Sequence, residues 1–272
     1  MNSQREIPEM LHVASGHGEP LVLAPGGLTG WLSWEPHAEA LSAERRVIRV
    51  QLHAVALGLA GDALPPGYSI DFEAGALGET LDALDVEQAD LAGWSYGGLV
   101  ALTFALDQPD RVRSLTLIEP PAFRVLLGRG PSPRALREEQ AFFQSLAADD
   151  VSEEQLAAFT RAVGLVPEHE DPRTSSQWPV WNEHRQALRA ADRPYKHEID
   201  LDQVRAFEKP VLLVKGEGST ASLHKIIDVL AEALPDARVV TYPGGHAPHI
   251  VSMEAFLEQF RLFLGQPEAI GR

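Results

Sequence analysis

An α/β protein is what this sequence predicts: a mostly parallel, doubly wound sheet with a helical cap inserted into it. Three observations carry that expectation. Short apolar runs alternate with stretches of helical periodicity toward both ends of the chain, as in a parallel sheet wrapped by helices. Between Glu119 and Pro210 the alternation stops and only helical spacing is legible. One strand-to-helix junction, "DLAGWSYGGLV", sets glycines on both sides of Ser95.

The elements follow in order. "PLVLAP" (20–25) reads as a strand ending at Pro25-Gly26-Gly27, and "RVIRVQL" (46–52) as the next. Residues 70–84 have helical spacing, with Phe72, Leu77, Leu81 and Leu84 on one side. "ADLAG" (89–93) is a strand, "GGLVALTFALDQ" (97–108) a helix stopped by Pro109, and "VRSLTLIE" (112–119) a strand. "PVLLVKG" (210–216), "LHKIIDVLAEAL" (223–234), "ARVVTYP" (237–243) and "MEAFLEQFRLFL" (253–264) close the chain as strand, helix, strand, helix. Three helical stretches fill the gap: "PRALREEQAFFQSLA", "SEEQLAAFTRAVG" and "WPVWNEHRQALRAA". Residues 1–121 and 208–272 therefore form the predicted core, and 122–207 the predicted helical cap, or lid.

Bulk properties exclude several function classes. At 272 residues the chain is long enough for one large domain with an insertion. With 39 acidic against 23 basic side chains, a net charge of −16, it has no basic stripe for phosphates. Nucleic acid and anionic membrane surfaces are therefore not expected partners. The absence of cysteine removes disulfides, thiolate metal sites and a Cys nucleophile. The N-terminus "MNSQREIPEM" lacks an apolar signal core, and no apolar run approaches the ~20 residues that span a bilayer. A cytoplasmic protein acting on a small molecule is the expectation.

Gly93-Trp94-Ser95-Tyr96-Gly97 is G-x-S-x-G between a strand and a helix. Such a turn holds the serine in strained backbone geometry with its hydroxyl above the sheet, and glycines clear the space around it. The N–H of Tyr96, at the helix N-terminus, then faces a developing oxyanion. In this context the chain resembles the α/β-hydrolase fold family over nearly its whole length. "LVLAPGG" is similar to the family's oxyanion loop, with Pro25 where His is usual. The resemblance implies Gly27 N–H as the second oxyanion donor, with Leu28 the fallback. "QLHAVALG" departs from the family's D-L-x-G-H-G-x-S and is read as an altered loop near the site. "YPGGHAPHI" resembles the terminal histidine loop, so His246 matches the catalytic base. His249 is read as lining the site, His224 as a surface residue. H-x-x-H has no Cys or carboxylate cluster to complete a metal shell, so neither metal nor cofactor is expected.

The family's acid usually follows the strand read here as "VLLVKG", but Ser219 occupies its position. Losing such an acid costs about 10⁴ in kcat, or roughly 5.5 kcal/mol. Glu119 ends the strand after the nucleophile helix, where the haloalkane dehalogenase branch carries a Glu as its acid. Two readings of Glu119 stand side by side: triad acid, or a cap-hinge residue bonding backbone N–H groups. Glu217 is a third, weaker candidate.

Large side chains that could line a substrate pocket are Leu28, Trp94, Phe123, Phe143, Trp178 and Trp181, with His249; packing between cap and core is their other use. The implied activity is a cofactor-independent serine hydrolase of carboxylic esters or lactones, with Ser95, His246 and Glu119 catalytic. The alternatives are a ligand-binding homologue that lost turnover, and a lyase or peroxidase-type activity on the same fold.

Overall fold

The computed structural model describes residues 7–129, 132–147 and 150–265; the remainder of the predicted core and cap ranges (1–6, 130–131, 148–149 and 266–272) lies outside the described residues. Seven strands form one sheet: β1 (Leu11–Ser15), β2 (Pro20–Ala24), β3 (Arg46–Gln51), β4 (Ala89–Trp94), β5 (Val112–Ile118), β6 (Val211–Gly216) and β7 (Ala237–Tyr242). Their order is β1-β3-β2-β4-β5-β6-β7. β1 pairs antiparallel with β3, and every other pairing is parallel.

The helices of the first half are α1 (Glu35–Leu41), α2 (His53–Ala60), α3 (Ile70–Ala83) and α4 (Tyr96–Asp107). The segment between β5 and β6 carries α5 (Pro133–Leu146), α6 (Glu153–Ala162), α7 (Trp178–His184), α8 (Arg193–Lys196) and α9 (Leu201–Ala206). After β6 come α10 (Ala221–Ala233), α11 (Pro248–Val251) and α12 (Met253–Leu264).

Side-chain alternation along the strands builds a core on each face of the sheet. Val22, Leu91, Leu115, Leu117, Val211 and Leu213 pack with α3, α4 and α10. Their neighbours Leu21, Leu23, Ala92, Ile118, Leu212 and Val214 pack with Trp34, Leu41 and the Phe256, Phe260 and Phe263 stripe of α12. A strand buried on both faces favours long apolar runs, as in "VLLV" of β6; in "ADLAG" the buried Asp90 is offset by Arg45 at 2.8 Å. Helix starts are set locally: Ser69 accepts the Phe72 N–H at 3.1 Å, and Ser152 with Gln155 forms a capping box on α6.

The structure departs from the sequence expectation in four places. β1 has no predicted counterpart because this edge strand is largely exposed and shows no buried run. α1 was likewise not foreseen. "HAVALG" is the helix α2 rather than a loop; a buried Glu73 accepts the N–H groups of His53 and Ala54, both at 3.1 Å, and so caps it from a distance. The third stretch of the insertion breaks after α7 into a 3₁₀ turn over Arg185–Ala190. No strand interrupts the segment between β5 and β6, and no helix is long and apolar enough to cross a membrane, among the described residues.

Candidate active site

β4 delivers Ser95 to α4 through a turn in which Ser95 has φ 52° and ψ −123°, outside the usual regions for a residue with a side chain. The close approach requires both flanking glycines. A Cβ on Gly93 would lie 2.5 Å from the Gly97 carbonyl oxygen, and one on Gly97 would lie 2.4 Å from that of Pro25. The strained turn is braced by Ser95 N–H on Ile118 O (2.8 Å) and Gly97 N–H on Pro25 O (3.1 Å). Pro25 thus contributes its carbonyl to the turn.

Ser95 Oγ lies 2.8 Å from His246 Nε2. On the other side of the ring, His246 Nδ1 lies 2.7 Å from Glu119 Oε2. The imidazole therefore accepts from the serine hydroxyl and donates to the carboxylate. Its loop is held at both ends: His246 N–H donates to Gly164 O at 3.0 Å, and Trp94 Nε1–H donates to His246 O at 2.7 Å.

Glu119 is fully buried and has φ 47°, uncommon for a residue with a Cβ. Several donors hold it there. Oε1 accepts Gly216 N–H at 2.8 Å, and Oε2 accepts the Ser219 hydroxyl at 2.6 Å as well as His246. Ser219, in the position where the family's acid usually stands, is a donor to the carboxylate that faces the histidine. Glu217 is exposed, and among the described residues no side-chain hydrogen bond or ion pair joins it to His246. His224 Nε2 donates to Gly216 O at 2.7 Å, bracing the turn after β6 rather than serving the surface alone.

Gly27 and Tyr96 both line the cavity beside Ser95, and they are close neighbours: a Cβ on Gly27 would lie 3.6 Å from Tyr96 Cβ. Tyr96 opens α4, so its N–H has no carbonyl of its own helix to reach. The Tyr96 ring is fixed by its hydroxyl, 3.2 Å from that of Tyr68, which in turn donates to buried Glu73 at 2.6 Å.

The cavity is small, with about 60 Å³ open to the centre of a water-sized sphere. Phe123 and Phe143 line it, with Pro121, Phe159, Val163 and Leu223. Five residues predicted for the pocket do not. Leu28 and Trp181 are buried in a cluster with Val151, Leu156, Val166 and Leu188, so Leu28 ties the loop after β2 to the segment between β5 and β6. Trp178 packs at the edge of that cluster, with the Arg173 guanidinium 5.5 Å from its ring. Trp94 points to the opposite face of the sheet, as alternation along β4 demands. His249 lies beneath it, fully buried among Trp34, Trp94 and Phe256, with both ring nitrogens unpartnered among the described residues. Among the contributors that went unforeseen are Ser219, which bonds Glu119, and Glu139 in the cavity wall. Glu139 lies four residues before Phe143 on α5, so helical spacing alone puts the two on one face.

His37 packs against His249, and its Nε2 donates to His249 O at 3.1 Å. Burial lowers His37 to about 4, against that hydrogen bond. Burial, then the charges of His37 and His246, holds His249 well below the ordinary range. In the unfolded chain both take up protons near pH 6.5. Stability from this pair is thus full above about 6.5 and declines as pH falls toward 4; His37 alone accounts for about 2 kcal/mol by about pH 5. Urea denaturation should show a lower midpoint at pH 5 than at 7.5, with a smaller difference in His37→Phe; equal midpoints in the wild type would contradict it.

The sequence profile of the α/β hydrolase fold fits residues 19–252. The chain belongs to the α/β-hydrolase fold family. This α/β-hydrolase is 31% identical over 257 residues to a pimeloyl-[acyl-carrier protein] methyl ester esterase of Aeromonas hydrophila, covering 92% of this chain and 97% of that one. Among solved structures it is similar to an esterase from Exiguobacterium antarcticum, with a TM-score of 0.77 at 19% identity, over 94% of this chain and 96% of the other. It is similar too to the enol-lactonase from Burkholderia xenovorans, with a TM-score of 0.69, 19% identity and the same coverages. Likeness at that identity speaks to the fold alone.

Proposed function

We propose that this α/β-hydrolase is a cofactor-independent serine hydrolase that cleaves carboxylic esters or lactones through an acyl-enzyme. The observation that carries this reading is the continuous line from Ser95 Oγ through His246 to Glu119, at 2.8 Å and 2.7 Å, opening into an apolar cavity. The name of the relative at 31% identity, a methyl ester esterase, lends support.

Each step follows from the geometry. Ser95 Oγ attacks the ester carbonyl carbon while His246 Nε2 takes its proton. The Glu119 carboxylate stabilises the imidazolium through Nδ1–H and keeps the ring in the required tautomer. Negative charge on the carbonyl oxygen is met by the N–H groups of Gly27 and Tyr96. Collapse of the tetrahedral intermediate expels the alcohol, which receives the proton from Nε2. Water then enters, gives a proton to Nε2 and attacks the acyl carbon, and the proton returns to Ser95 as the acid departs. Residues 122–207 act as a lid: this segment supplies Phe123, Phe143, Phe159 and Val163 to the wall, and its Gly164 carbonyl holds His246 N–H.

A fluorophosphonate probe tests the reading directly. Labelling at Ser95, together with a burst of p-nitrophenol from p-nitrophenyl esters, is the expected result. Ligand binding without labelling would point to a binding protein instead.

Ser219 acts through Glu119. Ser219→Ala removes one donor from the carboxylate, so kcat is expected to drop by about tenfold with KM little changed. Ser219→Thr, which keeps the hydroxyl, should retain most of the activity. Equal losses in the two variants would mean that packing, not the hydrogen bond, matters at this position.

A further inference from the structure

The wall of the cavity has a polar corner that the reaction as derived leaves unused. Apart from Ser95 and His246, its polar side chains are Tyr96, Thr220 and Glu139. The Tyr96 hydroxyl is turned to Tyr68, and Thr220 Oγ1 caps α10 by accepting Leu223 N–H at 3.4 Å. Glu139, on α5, is different. It is a half-buried carboxylate set among Phe123, Phe143 and Leu223. Ser222 donates to its Oε2 at 3.0 Å, and this is the one side-chain hydrogen bond to the carboxylate at full geometry among the described residues. Beside it stands Tyr195, stacked on Phe123 with ring centroids 4.0 Å apart; its buried hydroxyl meets no partner at full hydrogen-bond geometry. Burial pushes the Glu139 carboxyl up from its usual range, against the pull of the Ser222 and Tyr195 hydroxyls.

We propose that Glu139 is the specificity-determining residue of the pocket, selecting esters whose remote end carries a hydrogen-bond donor, a hydroxyl or a primary ammonium, and rejecting those that end in a carboxylate. This rests on the ester-hydrolase reading above and names its substrate class. An ionised carboxylate only accepts hydrogen bonds. In an apolar wall its desolvation is offset by a ligand that adds a donor to the hydroxyls of Ser222 and Tyr195, whereas a second carboxylate would be repelled. The apolar remainder of the wall fits the hydrocarbon between the ester and that group. A hydrogen bond to a charged group discriminates by roughly ten- to a hundredfold when desolvated.

The test compares p-nitrophenyl esters ending in methyl, hydroxymethyl, aminomethyl or carboxylate, matched in chain length and taken through a series of lengths. Wild type, Glu139→Gln and Glu139→Leu are assayed by kcat/KM. Calorimetry on Ser95→Ala, with and without each Glu139 substitution, measures binding of the matching alkanols, alkylammonium ions and alkanoates. Wild type is expected to favour hydroxyl and ammonium over carboxylate by at least about tenfold. Glu139→Gln should keep the hydroxyl preference and lose that for ammonium, because an amide oxygen still accepts; Glu139→Leu should lose both. Unchanged preferences across the three proteins, or a wild-type preference for carboxylate, would overturn the proposal. Hydrolysis of all four esters in unchanged ratios would remove the role of Glu139 and leave the hydrolase standing. No hydrolysis, but the expected order in calorimetry, would remove the hydrolase and leave the site.

Discussion

Ser95→Ala is expected to lower kcat on an activated ester by about 10⁶-fold, close to 8 kcal/mol of transition-state stabilisation. In the proposed mechanism the hydroxyl forms the covalent bond, and the residual rate is what the N–H groups of Gly27 and Tyr96 would do for a water. The fold should not suffer. The side-chain oxygen makes its one hydrogen bond to His246 Nε2, while the strained backbone is held by Ser95 N–H on Ile118 O and by the flanking glycines. Alanine can occupy that backbone at no greater steric cost than serine. Initial rates with p-nitrophenyl butyrate, alongside a thermal melt, decide the matter. A folded variant within tenfold of wild type would mean that Ser95 is not the nucleophile.

The second largest effect is expected at Glu119. Glu119→Gln should cost about 10⁴ in kcat with little change in KM. The substitution keeps the shape, but an amide nitrogen facing His246 Nδ1 favours the wrong tautomer, and the charge opposite the imidazolium is gone. KM should hold because Glu119 is fully buried behind the histidine and does not line the cavity. The same geometry provides a rescue. Ser219 Oγ is 2.6 Å from Glu119 Oε2, the oxygen that also meets His246, so a carboxylate introduced at 219 reaches the same neighbourhood. Ser219→Asp in the Glu119→Gln background should restore part of kcat. If Glu119→Gln alone stays within tenfold of wild type, the carboxylate is a hinge support and the chemistry runs on Ser95 and His246.

Parts of this molecule could be read one residue after another because their cause is local. The elbow is in part such a case: a Cβ on Gly93 would meet the Gly97 carbonyl within the turn itself, whereas one on Gly97 would meet Pro25 at the end of β2. The strands buried on both faces and α12, with Phe256, Phe260 and Phe263 in helical register, are others. β1 left no such trace, since an exposed edge strand is defined by its partner β3 and not by a buried run of its own.

The sequence by itself determined the sheet's parallel strands, the Ser95 turn, the His246 loop and the absence of a carboxylate at position 219. Those features arise from backbone sterics and from side-chain periods of two or 3.6 residues, which act over a few neighbours. Only the tertiary structure decided that Glu119 and Ser219, 100 residues apart, share a hydrogen bond and that the carboxylate faces His246. It also sent Trp94, Trp181, Leu28 and His249 into packed clusters while turning Glu139 toward the cavity. Which side of an amphipathic helix meets a cavity, and which meets another helix, depends on how whole elements dock. That is a property of long-range burial, and no local spacing encodes it.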